Sequence, residues 1–145
     1  MDPFLNAPDS CYHIILMKSF TFPKIARILK RYEFVEFYSF GKAVHSLGFV
    51  LVYKSGKSGR SRIGITVSRK VGNAVVRNRI KRHIREYYRL HSVSAQTDWD
   101  FHLIAKKPAS TLSFQQMVAM LDGLFDKFAK IAVVVQTAIP QSHHV

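Results

Sequence analysis

Between Arg62 and Leu90 the hydrophobic period changes once, and that change places a strand and a helix at the centre of the fold. In Arg62–Ser68, Ile63, Ile65 and Val67 alternate with Gly64, Thr66 and Ser68. A period of two is a strand with one buried face. After the link Arg69-Lys70-Val71-Gly72-Asn73 the period becomes helical, from about Ala74 to Leu90. At 100° per residue, Val76, Tyr87, Ile80, Ile84 and Tyr88 fall within about 120° of arc. Arg77 lies at the margin of that arc. Asn78, Arg79, Lys81, Arg82, Arg85 and Arg89 occupy the rest. The helix therefore buries about one third of its circumference and leaves a cationic surface outside.

The cations stand in i, i+4 rows, and Glu86 is the only acid among them. Each like-charge pair lowers helix stability by a few tenths of a kcal/mol. Internal salt bridges do not account for such rows, whereas an external polyanion does. The window Lys54–His91 holds nearly all of the chain's formal net charge of +13. Nucleic acid is the first partner to expect and an anionic membrane surface the second.

At 145 residues and 48% hydrophobic composition, the chain has the material for one domain with a core. A disordered basic tail would be poorer in apolar residues. The single cysteine, Cys11, forms no internal disulfide framework and no multi-thiolate zinc site. A reducing, cytoplasmic setting fits that usage. No apolar run reaches the roughly 20 residues of a membrane helix. Arg and Asn interspersed with Tyr on the Ala74–Leu90 helix make a poor lipid face, so nucleic acid is favoured over a membrane partner.

Residues 1–19 read as a disordered leader, with Met17 as a candidate natural start. Residues 20–130 read as a single α+β domain and 131–145 as a loose tail. Within the domain a helix is expected from about Lys30 to Phe40, closed by Gly41 in a left-handed cap. Phe34, Phe37 and Tyr38 form an aromatic stripe on it. Four aromatics in seven residues, counting Phe40, cannot all face one core, so at least one lies outside it. Val44–Tyr53 reads as extended, with Phe49, Leu51 and Tyr53 on one face and Val50 and Val52 on the other. One face covers a core, and the other faces a groove or a second layer. Lys54–Arg60 is rich in Gly, Ser and Lys, so a hairpin into Arg62–Ser68 is expected. A strand over Asp98–Lys106 and a final helix from about Ser113 to Lys130 complete the order. The architecture is one sheet with helices packed against it.

Catalytic constellations are sparse. The nine acids are scattered, and a metal-dependent nuclease needs them clustered. Asp98 and Asp100 flank Trp99 but read as solvated strand-end acids. The histidines lack metal-ligand spacing within one helix. No Gly-x-x-x-x-Gly-Lys loop is present. The residues thus describe a binding protein for RNA or DNA. Aromatics near a basic helix favour RNA, because splayed bases stack on them.

The stretch from Arg62 to Arg89 resembles the signature of the bacterial ribonuclease P protein component. Its centre is Arg77-Asn78-Arg79 followed by Ile80-Lys81-Arg82, after Val67-Ser68-Arg69-Lys70 and Gly72-Asn73-Ala74. Phe22-Pro23-Lys24 through Gly41 is similar to that family's opening segment. Phe101 to Ala109 is similar to its strand before the last helix. The resemblance covers about Phe22 to Phe128. It implies a two-layer α+β sandwich with a mainly antiparallel sheet and the order α-β-β-β-α-β-α. It also implies a left-handed β-α-β crossover, against the usual hand.

The resemblance further implies a subunit of a ribozyme. The catalytic RNA, with Mg²⁺ that it mainly binds itself, removes the 5′ leader of precursor tRNA. The protein carries no catalytic residue and binds no metal alone, with one protein expected per RNA. Arg69, Lys70, Asn73, Arg77, Asn78, Arg79, Lys81, Arg82, Arg85 and Arg89 would face that RNA. Lys30, Phe34, Tyr38 and Val52 would meet the leader. Val52 stands where family members often carry an aromatic, and by that departure this strand offers no ring for stacking at that position. The alternative reading is a structural ribosomal or RNA-chaperone protein without a catalytic role.

Overall fold

The structure, a computed structural model, describes residues 24–56, 61–91 and 98–138. Among them are three α-helices: α1 (Arg31–Phe40), α2 (Ala74–His91) and α3 (Phe114–Ala138). Four strands form one sheet: β1 (Lys42–His45), β2 (Phe49–Ser55), β3 (Arg62–Thr66) and β4 (Trp99–Ala105). The expected α+β order is present. The leader 1–19 and candidate start Met17 lie outside the described residues.

The spatial order is β1-β2-β4-β3. β2 and β3 are therefore not a hairpin, contrary to the reading of Lys54–Arg60. β4 lies between them, antiparallel to β2 and parallel to β3. The reason is burial. Asp100 through Leu103 and Ala105 are all buried, as a central strand requires. The true hairpin lies inside the stretch Val44–Tyr53, where Ser46–Gly48 joins β1 to β2. The Ser46 N–H donates to the Phe49 carbonyl at 2.8 Å, and its hydroxyl accepts from the Phe49 N–H at 3.1 Å. Local side-chain bonding of this kind closes a turn within an otherwise apolar run.

Alternation sorts the sheet into two faces. Phe49, Leu51, Tyr53, Ile63, Phe101 and Leu103 face α2 and α3 and form one core with Ile80, Ile84, Met117, Leu121 and Leu124. Phe101 is held edge-on by Phe125 and Phe128, with centroids 5.3 and 4.9 Å away. At about 25 cal/mol per Å² of apolar surface, this cluster is the main source of stability. Sheet and α2/α3 make the two-layer sandwich, and α1 is laid across the sheet's other face.

The helix ends follow from local chemistry. Asn73 caps α2, its Oδ1 accepting from the Val76 N–H at 3.0 Å. Ser113 and Gln116 cap α3 reciprocally, at 3.2 and 2.9 Å. α3 extends to Ala138 rather than ending near Lys130. No glycine or proline follows Lys130 until Pro140, and β-branched Val133–Val135 cost a helix little. Gly41 is extended, at φ −79° and ψ 146°, not left-handed. Close packing calls for glycine there instead. A Cβ would collide with the Phe37 carbonyl and come 2.6 Å from Val52 Cγ1.

Candidate nucleic-acid interface

The face under α1 carries a row of charge. Lys54, Asp100 and Arg62 are cross-strand neighbours on β2, β4 and β3. Asp100 is 1% exposed. It accepts from Arg62 Nε and Nη2 at 3.2 and 2.9 Å and lies 3.5 Å from Lys54 Nζ. From α1, Glu33 meets Arg62 at 2.7 Å and Glu36 meets Lys54 at 3.1 Å. Hydrogen bonds to Asp100 and Glu33 hold the Arg62 guanidinium above its already high range, against the opposing effect of burial. These five groups anchor α1 across the strands.

The next row is Val52, His102 and Gly64. The Phe34 and Phe37 rings lie 4.9 and 5.4 Å from His102. Gly64 lets Phe34 lie down on the sheet, for a Cβ there would come 2.5 Å from Phe34 Cε1. His102 Nε2 and the Thr66 hydroxyl are 2.8 Å apart. Burial lowers the His102 pKa from 6.5 to about 4. The folded state keeps this imidazole neutral, while the unfolded chain protonates it near 6.5. Stability from this group is present above about pH 6.5 and is lost as pH falls towards 4. Urea unfolding at pH 6.5, 5 and 4 should show that loss, and His102→Gln should reduce it. An identical pH slope in the variant would refute the assignment. His83 contributes in the same direction, its pKa lowered by burial and then by Arg82 and Arg79.

Beyond that row lie Val50, Ile104 and Thr66, which α1 leaves partly or fully exposed. They form an apolar floor with a hydroxyl at its edge. At 100° per residue, Phe34 and Tyr38 flank this open side of α1, separated by about 40°. Tyr38 is 84% exposed, whereas Phe34 is half-buried. Val52 lies beneath Gly41 at the end of the helix. Lys30 does not join them. Its ammonium lies 5.7 Å over the Tyr32 ring, on the outer side of α1. Strand alternation pointed to Val50 and Val52. The floor residues Thr66, His102 and Ile104 went unmarked because nothing local shows that β4 lies beside β3.

On the sandwich's other side, α2 buries Ile80, Ile84, Tyr87 and Tyr88. Arg69, Lys70, Arg82 and Arg85 are exposed, and their side chains make no hydrogen bond or ion pair among the described residues. Asn78 is exposed, and Arg77 and Lys81 are half-buried. Three of the expected RNA contacts have structural work as well. Asn73 caps α2. Arg79 Nη2 donates to the Ser110 carbonyl at 2.8 Å, fastening the turn before α3. Arg89 lies 3.9 Å from Glu86. Arg85 also lines a small recess at the β3 edge with Phe34, Ile28, Ile63 and Ile65. The cationic helix and the aromatic helix thus meet around one strand.

Among the described residues no three His, Cys, Asp or Glu side chains gather as metal ligands. Asp100 is not the solvated strand-end acid expected, for it is buried and engaged by Lys54 and Arg62.

Sheet, open cleft and cationic helix define a small basic α+β protein whose outward chemistry is aromatic and cationic. The family model described as Ribonuclease P matches residues 22–129. The ribonuclease P protein component of Desulfosudis oleivorans is 47% identical over 114 residues, spanning 79% of this chain and 94% of the relative. That of Geotalea uraniireducens is 44% identical over 114 residues, spanning 79% and 100%. A Staphylococcus aureus RNase P protein structure matches with TM-score 0.65 and 36% identity, over 72% of this chain and 95% of that one. The Thermotoga maritima RNase P protein matches with TM-score 0.63 and 29% identity, over 70% and 96%. The chain belongs to the ribonuclease P protein component family.

Proposed function

We propose that this chain is the protein subunit of a ribonuclease P holoenzyme and assists removal of the 5′ leader from precursor tRNA. The observation that carries the reading is the recess shared by Arg85 of α2 and Phe34 of α1. It brings one cation of α2 and one aromatic of α1 to the same recess at the β3 edge. Arg69, Lys70, Arg82 and Arg85 hold the phosphates of the catalytic RNA. The single-stranded leader lies over Val50, Val52 and Ile104, with bases against Phe34 and Tyr38. Mg²⁺ is held by the RNA, which hydrolyses the phosphodiester. The protein contributes position and affinity. One protein acts per RNA, in the cytoplasm.

Reconstitution with the catalytic RNA at low Mg²⁺ tests this reading. Cleavage of precursor tRNA should be faster with protein than without. Tyr38→Ala removes an exposed ring and leaves the core intact. It should weaken binding of leader-bearing tRNA about tenfold, within the range for one stacked base, and leave mature tRNA unaffected. Equal losses for both tRNAs would remove the leader from the cleft. Cleavage no better with protein than without would favour a structural RNA-binding role.

A further inference from the structure

α1 has two flanks, and the cleft uses only one. On the other flank, a recess of about 440 Å³ opens at the end of the sheet. Its volume lies in the roughly 300–1,000 Å³ range of small-molecule sites. Phe40, Trp99 and Tyr53 supply aromatic wall, and Lys42 and Ser55 supply polar groups. Phe40 is 75% exposed, so its ring is open to a ligand. Trp99 does not swing freely. Its ring is held edge-on by Tyr53 and Phe128, with centroids 5.9 and 5.3 Å away.

The charges decide what fits. Lys54 lies within the recess but is neutralised by Glu36 and Asp100. Lys42 is exposed, and its ammonium makes no ion pair or hydrogen bond among the described residues. Flat aromatic surface beside one available ammonium suits a planar ring that carries an anion. An apolar peptide would leave Lys42 without a partner, and a bare anion would leave Phe40 and Trp99 in water. We infer that this recess binds one unpaired nucleotide of an RNA strand, its base against Phe40 and Trp99 and its phosphate on Lys42. The inference rests on the RNA-binding reading above but uses a different site. Phe40 and Tyr38 lie about 160° apart around α1 at 100° per residue.

Trp99 is the chain's single tryptophan, so its fluorescence reports on the recess directly. The full chain is titrated with a five-nucleotide single-stranded RNA, with adenosine 5′-monophosphate, and with ribose 5-phosphate. The RNA and the nucleotide should quench Trp99 saturably, and the sugar phosphate should not. Phe40→Ala should weaken the quenching interaction about tenfold, as for one lost stack, and Lys42→Gln should flatten its salt dependence. Tyr38→Ala should leave the quenching intact. Absence of saturable quenching overturns the proposal. So does quenching that survives both Phe40→Ala and Lys42→Gln, or that is lost in Tyr38→Ala. Precursor tRNA, mature tRNA and the catalytic RNA then identify the source strand. Quenching by precursor but not mature tRNA assigns the nucleotide to the leader, and quenching by the catalytic RNA alone assigns it there. Loss of leader preference without loss of quenching would count against the cleft and not against this site.

Discussion

Replacing Asp100 by alanine should lower the unfolding free energy by about 3–5 kcal/mol, the usual loss when one member of a buried ion pair is removed. Asp100 sits between two cations, Arg62 at 2.9 Å and Lys54 at 3.5 Å, and is nearly inaccessible to water. Without it, Lys54 keeps only Glu36 and Arg62 keeps only Glu33, both contributed by α1. A domain of this size has about 5–15 kcal/mol in total, so the loss is a large part of its stability. Urea unfolding measures it. Hydrogen exchange should show α1 loosening first, because its two ion pairs end on the same cluster. Replacing all five groups of the cluster, Asp100, Lys54, Arg62, Glu33 and Glu36, with apolar residues of similar volume should recover part of the loss, since no charge is then stranded. A loss below about 1 kcal/mol would mean that the cluster behaves as a screened surface pair.

The double variant Arg82→Gln, Arg85→Gln should move binding and stability in opposite directions. Both side chains are exposed and have no hydrogen-bond or ion-pair partner among the described residues. Losing two phosphate contacts should weaken binding of the catalytic RNA roughly 10- to 100-fold near 0.1 M salt. The slope of log K against log salt should fall by about 2. Thermal unfolding should stay level or rise slightly, because the row Lys81, Arg85 and Arg89 loses like-charge repulsion worth a few tenths of a kcal/mol. Unchanged salt dependence would show that these arginines do not meet phosphate. Arg79 is a poorer probe. Its bond to the Ser110 carbonyl means that a loss of binding would mix contact with displacement of the turn before α3.

Helix α2 shows how far local pattern reaches. Its extent, its buried stripe of Ile80, Ile84, Tyr87 and Tyr88, and its cationic remainder all follow from a period of 3.6. Its cap, Asn73, was legible too. An Asn before the first helical residue is an N-cap signal, and its placement among RNA contacts overlooked that role. Gly41 shows the reverse. Glycine after a helix ordinarily indicates a left-handed cap, but here it accommodates Val52 from a strand that sequence spacing does not place beside it.

By itself, the sequence determined the alternation of β2, β3 and β4, the cationic surface of α2, the motif that marks the family, and the scarcity of carboxylates. Each depends on residues within a turn or two of one another, or on composition. Only the tertiary structure decided that β4 separates β2 from β3. It also decided that Asp100 joins two lysine- and arginine-bearing strands, that Arg79 is tied to Ser110, and that Lys30 turns away from the cleft. The physical reason is range. Helix bonds and strand alternation are set by neighbours in the chain, whereas strand pairing and buried charge join residues such as Arg62 and Asp100, 38 positions apart. Their partners are chosen by what the whole core buries.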